Sequence, residues 1–485
     1  MRESSMALHY RMLLIWTLTC SVPIAVAQPQ TETIIRDGDI VTAGGQRTAD
    51  IRIVGSTIAE IGTGLTARDE RTLEIDAEHH LVLPGGIDPH VHLGGNRVDD
   101  YTSGSAAALA GGITTISNFG GVQPGESPIE ALTRATNQIE TQSIADVIFH
   151  PIISDPTSAT ADTLSALVSA GQTSVKIFMV RPSFDRNAPG FLTMMYAANS
   201  RGLLTMLHCE DAAIIEATAS RLVAMGRGSL EFFGDARPVS AEVAATQRAV
   251  AMAEVTGSPI YIVHLSSARA LQVAENAQAR GLPVFVETRP LYLHLTRERF
   301  SGPNPGLYIG QPPLRTLSDQ DALWEGIARG SIHVIGSDHV AYTREEKLDP
   351  SQTVVRHRAG MSNLQEMLPM IFSEGVRTGR ITLERFVEVT ATNPAKLFGL
   401  YPRKGTIAVG SDADLTVWDP AETRTIRNED MLSASRYSVH AGKVVTGWPT
   451  MTLRRGEIVY QNREITGSPG SGELLQRTPW QDPRR

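Results

Sequence analysis

Six side chains in this sequence have the types and positions that would hold metal ions. His90 and His92 stand two apart in GIDPHVHL, a run with strand character, so their side chains face the same side. Lys176 lies inside SVKIFMV, His208 ends LLTMLH, His264 falls near the end of PIYIVHL, and Asp338 follows IHVIGS. Imidazole and carboxylate are good ligands for zinc and similar divalent ions. Singly, each residue has a plainer explanation. A histidine at a strand end is commonly a hydrogen-bonded structural group, and a lysine in a strand can snorkel or pair with a carboxylate. Their joint arrival in or at the ends of several apolar runs makes chance the poorer account.

The elements that would position them follow from the same runs. GIDPHVHL, ITTISNF, VIFHPII, SVKIFMV, LLTMLH, PIYIVHL, PVFVET and IHVIGS read as strands buried on both faces of a parallel sheet. Helical stretches such as Glu126 to Gln142, Ala212 to Ala224, Ala241 to Thr256 and Ser267 to Arg280 lie between them. Eight such strands with helices between predict an α/β fold, a (β/α)8 TIM-like barrel over residues 85–399, whose C-terminal strand ends form the site. Residues 31–84 and 400–462 have a different texture, short β-branched runs broken by Gly and Asp. They predict a small β-sandwich domain formed from both chain ends. Residues 463–485, rich in Gly, Ser, Pro and charge, predict a flexible, exposed tail.

A length of 485 residues accommodates a large domain with a smaller one. The formal net charge of -8 speaks against a nucleic-acid-binding surface, which needs a basic stripe. Residues 1–27 carry Arg2 and Arg11, an apolar stretch from Met12 to Ala27 and the terminal Ala25-Val26-Ala27, the marks of a secretory signal peptide. Export to a periplasm or the exterior is the expectation, and a cytoplasmic protein if that segment does not act as a signal. No later apolar run has the length of a membrane span. Cleavage after Ala27 would remove Cys20 and leave Cys209 as the sole cysteine, so no internal disulfide could form.

LPGGIDPHVHL, VKIFM, LHCED, IYIVHLSSARAL, GQPPLR and GSDH resemble the motifs of the cyclic amidohydrolases, metal-dependent enzymes of the amidohydrolase superfamily. The likeness is greatest to dihydropyrimidinase and hydantoinase, with dihydroorotase and allantoinase more distant. It extends from Thr33 to about Tyr460 and includes TNPAKLFGLYPRKGTIAVGSDADLTVWDP, similar to the segment leading from that family's barrel back to its sandwich. The resemblance implies that His90, His92 and Asp338 bind the more buried of two divalent ions, with zinc the expected metal. It implies that His208 and His264 bind the more exposed ion, and that Lys176 carries CO2 as a carbamate bridging both. The modification has a physical reason: a lysine ammonium has no lone pair, whereas a carbamate is an anion with two oxygen donors. Two divalent ions against carbamate, Asp338 and a bridging hydroxide leave residual positive charge to polarise a carbonyl. The implied reaction is hydrolysis of the C–N amide bond of a hydantoin, dihydropyrimidine, cyclic imide or related ureide. Hydroxide attacks the amide carbon while Asp338 serves as base and then acid. A homo-dimer or homo-tetramer is implied as well.

The sequence departs from the family pattern at positions that would touch substrate. Where the family has a tyrosine five residues after the lysine, this chain has Arg181. As a fixed cation it would mark an acidic substrate or a different oxyanion donor, or else form a surface ion pair on a shifted loop. Gln311 takes the place of a ring-contacting serine, the loop from Gly94 to Tyr101 is a further specificity element, and Asn363 is a substrate-contact candidate. Gly94 stands where many dihydroorotases have an arginine, which lowers that reading. A linear N-acyl amide is the alternative substrate. A non-catalytic scaffold is the alternative to an enzyme, opposed by the intact ligand set.

Overall fold

The computed structural model describes residues 32–123 and 126–481, so the segment 1–27 expected to be a signal peptide lies outside the described residues. Eight strands form one sheet in sequence order from Gly86–Asp88 to Val334–Ile335. All their pairings are parallel, as between Ser174–Phe178 and Leu204–His208 or between Ile260–Ile262 and Val284–Thr288. The first and last strands meet through a side chain. Asp88 Oδ1 accepts from the backbone N–H groups of His90 at 3.0 Å and Ser337 at 3.1 Å. Just above, Val91–His92 pairs in parallel with His339–Val340. These contacts close the (β/α)8 barrel that the alternating runs predict.

Local chemistry sets the helix ends. The helix expected from Glu126 begins at Pro128, because Ser127 caps it and Glu130 returns a bond to the cap N–H. Proline at the first helical position has no N–H to leave unsatisfied. The helix Val239–Thr256 stops at Gly257, which adopts φ 67°. The barrel interior is filled by Ile87, Phe119, Ile148, Leu204, Met206, Tyr261, Phe285 and Val334. A larger apolar layer lies between sheet and helices, including Val147, Ile177, Leu207, Ala249, Leu271 and Ile327.

The two chain ends build a second sheet of nine strands. Leu81–Pro84 is its seam, parallel to the strand Glu32–Thr42 and antiparallel to Leu415–Thr425. Ile35, Ile51, Ile53, Val82, Leu415, Val417 and Leu453 from both ends share one core. Among the described residues no helix is long and apolar enough to cross a membrane.

The tail is not the exposed arm its composition predicts. Leu475 donates its N–H to Val147 O at 2.8 Å, and Arg477 and Trp480 donate theirs to Gly171 O and Gly202 O. Leu475 is buried with the interior residues of the barrel. The buried Arg477 guanidinium donates to Ser174 Oγ at 3.0 Å, Phe149 O at 2.9 Å and Gln172 Oε1 at 3.1 Å. These partners lie at the strand starts, so the tail covers the face opposite the histidines. Composition misleads because one apolar residue and one arginine find acceptors that only the closed barrel assembles. Leu475→Ala should cost about 2–5 kcal/mol of stability, read as a lower unfolding midpoint in denaturant. An unchanged midpoint would show that the tail contributes nothing.

Candidate metal centre

His90 and His92 follow the first strand, and each imidazole reaches toward Asp338. Their Nε2 atoms lie 3.1 and 3.3 Å from Asp338 Oδ1, and one ligand atom from each of the three falls within 4.8 Å of the others. His90 Nε2 is buried without a hydrogen-bond partner, because the contact with Asp338 is off the hydrogen-bonding direction. His92 Nδ1, His264 Nδ1 and Lys176 Nζ are likewise buried and unpartnered. Buried polar atoms are nearly always paired. The orphans on His90, His264 and Lys176, beside a His92 whose Nε2 faces Asp338, are what a set of ligand groups looks like without its ion. The donors therefore fit a divalent cation.

The remaining histidines continue the cluster. Ring centroids run His92–His90 5.4 Å, His90–His264 5.3 Å and His264–His208 4.5 Å. Lys176 Nζ sits 4.7 Å from the Phe119 ring and 5.0 Å from the Phe178 ring. The sixth strand ends at Ile262 and the eighth at Ile335, so His264 and Asp338 stand on turns just beyond them. Both residues are left-handed, with φ 41° and 46°. Such backbone costs about 1–3 kcal/mol for a non-glycine residue and persists where the surroundings impose it.

The surroundings here are two buried carboxylates that sequence reasoning missed. Glu287, on the seventh strand, accepts from His90 Nδ1 at 2.6 Å, the Tyr261 hydroxyl at 2.8 Å and the His264 backbone N–H at 2.9 Å. It orients His90 so that Nε2 carries the lone pair. Gly336 makes room, since a Cβ there would lie 2.8 Å from Glu287 Oε2 and 3.1 Å from His90 Cβ. Glu210 accepts from Arg237 at 3.0 and 2.5 Å and takes His208 Nε2–H at 2.8 Å, which leaves His208 Nδ1 as the free donor. Both were detectable as acidic residues in or beside apolar strand runs, the signal that singled out Lys176.

Electrostatics prepares the groups as ligands. Burial pushes His92 down to about 3, and burial also lowers His208 and His264, so all three imidazoles are neutral near pH 7. His90 differs: burial lowers it, but the Glu287 and Asp338 charges outweigh this and raise it. Burial alone would raise Asp338, yet the Arg289 and His90 charges hold it well below the usual carboxylate range. Arg289 Nη1 lies 3.1 Å from Asp338 Oδ2. Burial brings Lys176 down to about 7, against the opposing pull of Glu287 and Asp338. For Glu210, burial is outweighed by Arg237 and His208, which hold it at about 2.

The substrate-contact candidates divide. Arg181 and Gln311 line the cavity above the cluster, with Arg97, Phe178, Val340, Tyr342 and Gly360. Arg181 makes no ion pair among the described residues. It donates to Ser154 Oγ at 2.6 Å and stacks 4.7 Å from the Phe178 ring. Gln311 Nε2 lies 2.9 Å from His357 Nε2. Asn363 is not brought to the cavity wall, because its Nδ2 donates to Ser337 O at 3.1 Å and Met361 O at 3.3 Å. His339 points away from the cluster, with Nε2 2.8 Å from Asp99 Oδ2.

Comparison with known proteins agrees with this geometry. The model of the amidohydrolase family matches residues 81–459. The chain is 35% identical over 455 residues to a D-hydantoinase of Ralstonia pickettii, covering 92% of this chain and 99% of that one. It is 36% identical over 458 residues to a D-hydantoinase of Geobacillus stearothermophilus, covering 92% and 97%. The crystal structure of a dihydropyrimidinase from Brevibacillus agri superposes with a TM-score of 0.88 at 33% identity, over 93% of this chain and 100% of that one. With a family match over residues 81–459 and relatives at 35–36% identity over nearly their whole length, the chain belongs to the amidohydrolase family.

Proposed function

We propose that this protein is a binuclear metal-dependent hydrolase that opens the C–N amide bond of a cyclic amide: a hydantoin, dihydropyrimidine, cyclic imide or related ureide. The observation that carries the proposal is the group of buried, unpartnered nitrogens on His90, Lys176 and His264, with His92 Nε2 beside them at the anionic Asp338. The names of the relatives at 35–36% identity support the cyclic amide as substrate class. In this reading His90, His92 and Asp338 would hold one ion and His208 and His264 the other, and Lys176, once carbamylated, would supply further anionic oxygen ligands. Bound there, two divalent ions supply Lewis acidity and lower the pKa of water.

The chain's own residues do the rest. Asp338 takes the proton of the attacking water and returns it to the departing ring nitrogen. The Arg289 charge beside Oδ2 makes Asp338 a weak base but a correspondingly ready acid in the second transfer. Glu287 and Glu210 keep His90 and His208 in one tautomer each. Arg181, at the mouth, is a fixed cation able to stabilise negative charge on a substrate oxygen. Gln311 offers a donor and an acceptor to the ring.

Protein purified without chelator should contain about two zinc-like ions per chain, with CO2 on Lys176 in the native mass spectrum. Chelation should remove ring opening, and zinc with bicarbonate should restore it. A protein that takes up no metal under those conditions would remove the chemistry and leave the fold. Asp338→Asn should retain metal while turnover of a hydantoin or dihydropyrimidine drops about 10²- to 10⁴-fold. Near-normal turnover in that variant would reassign the proton transfer to another group.

A further inference from the structure

Arg97 and Arg181 both line the cavity over the metal ligands, and neither lies within 4 Å of a carboxylate among the described residues. Arg97 is half-buried and Arg181 exposed, whereas the buried arginines near this face are paired: Arg237 with Glu210, Arg315 with Glu242 and Arg289 with Asp338. Arg97 sits on the loop after His92, which is pinned by Gly94 N–H to Asp99 O at 2.8 Å and Val98 N–H to Ala341 O at 3.1 Å. Its side chain makes only a 3.4 Å contact from Nη1 to Gly94 O, and its Nε is buried without a partner. Burial pulls the guanidinium down from its ordinary value, so its charge is held there against a desolvation cost.

The two cations stand on different sides of the cavity. Arg97 lies on the loop that follows His92 and lines the cavity with it. Arg181 stacks on Phe178, whose ring lies 5.5 Å from that of His208. Among the described residues the one acidic side chain on the wall is Asp338, already paired with Arg289. The cavity mouth thus presents two guanidinium groups, and among the described residues neither forms an ion pair. A guanidinium matches the planar two-oxygen geometry of a carboxylate better than that of any neutral group.

We propose that the cyclic amide taken by this enzyme carries a carboxylate substituent, received by Arg97 and Arg181 while the ring amide faces the histidine cluster. This rests on the hydrolase reading and names its substrate class. Phe178 and Val340 give the ring an apolar wall, and the two arginines select the charge.

The metal-reconstituted full chain should be assayed with hydantoin-5-acetic acid and hydantoin-5-acetamide, near-isosteric rings that differ in one charge. The acid should be preferred in kcat/KM by on the order of 10²-fold, mainly through KM and less so at high salt. Arg97→Met and Arg181→Met should each reduce that ratio at least about tenfold. Equal turnover of acid and acetamide, or a ratio unmoved in both variants, would overturn the charge selection while leaving the hydrolase reading intact. Failure to open either ring while unsubstituted hydantoin or dihydrouracil is opened would overturn the charge selection, and failure with all four would remove the hydrolase reading. Calorimetric binding then decides the anion site separately, with N-carbamoyl-aspartate and N-carbamoyl-asparagine as probes. Tighter binding of the aspartate form supports it, and equal binding overturns it.

Discussion

Glu287 places a carboxylate where no water reaches it, and the surrounding chain has to satisfy it. The Tyr261 hydroxyl, the His90 imidazole and the His264 backbone N–H converge on its two oxygens. Losing any of these partners would leave a buried charge short of a hydrogen bond, which costs more than an ordinary bond contributes. The carboxylate therefore specifies geometry. It fixes which nitrogen of His90 faces Asp338 and draws the backbone of His264 into its left-handed turn. Gly336 is tied to the same constraint, because a side chain there would occupy the carboxylate's place.

A second buried network holds the wall of the cavity. Lys347, itself buried, donates to the carbonyls of Ile309, Arg358 and Gly360 at 2.9, 2.7 and 2.6 Å. It fastens together the loops that carry Gln311 and Gly360. Below the cluster, Asp99 accepts from His339, the Ser433 hydroxyl and the Ala434 N–H, joining the barrel rim to a segment near the C-terminal sheet. Burial would raise Asp99, but the His339 bond and the other donors bring it down to about 2, so it remains an anion at physiological pH. The site thus rests on buried charges whose partners come from distant parts of the chain. Such networks specify one arrangement when every member is satisfied.

Polarity is divided between the two barrel faces. The histidines, Lys176 and Asp338 occupy the strand ends, while Leu475 and Arg477 close the strand starts. Tail residues also share hydrogen bonds with Val147, Gly171, Gly202 and Gly399, so the strand starts are covered by a segment that joins no barrel strand.

What the sequence determined by itself was the periodicity and the order of chemical groups. Apolar runs of strand length alternating with helical stretches dictate a parallel barrel. The positions of His90, His92, Lys176, His208, His264 and Asp338 in or just beyond five of the eight runs follow from that register. Caps such as Ser127 are local and legible for the same reason. Only the tertiary structure decided which neighbours those groups meet. Glu287 and Glu210 look like isolated acids in the sequence, and their roles depend on residues up to 197 positions away. Asn363 looks like a substrate contact until Ser337 and Met361 carbonyls are found to occupy its amide. The tail looks like an exposed arm until the closed barrel supplies acceptors for Arg477 and a cavity for Leu475. The division has one physical cause: hydrophobic periodicity acts through near neighbours, whereas burial of a charge is resolved by whatever donors the completed fold brings within hydrogen-bonding distance.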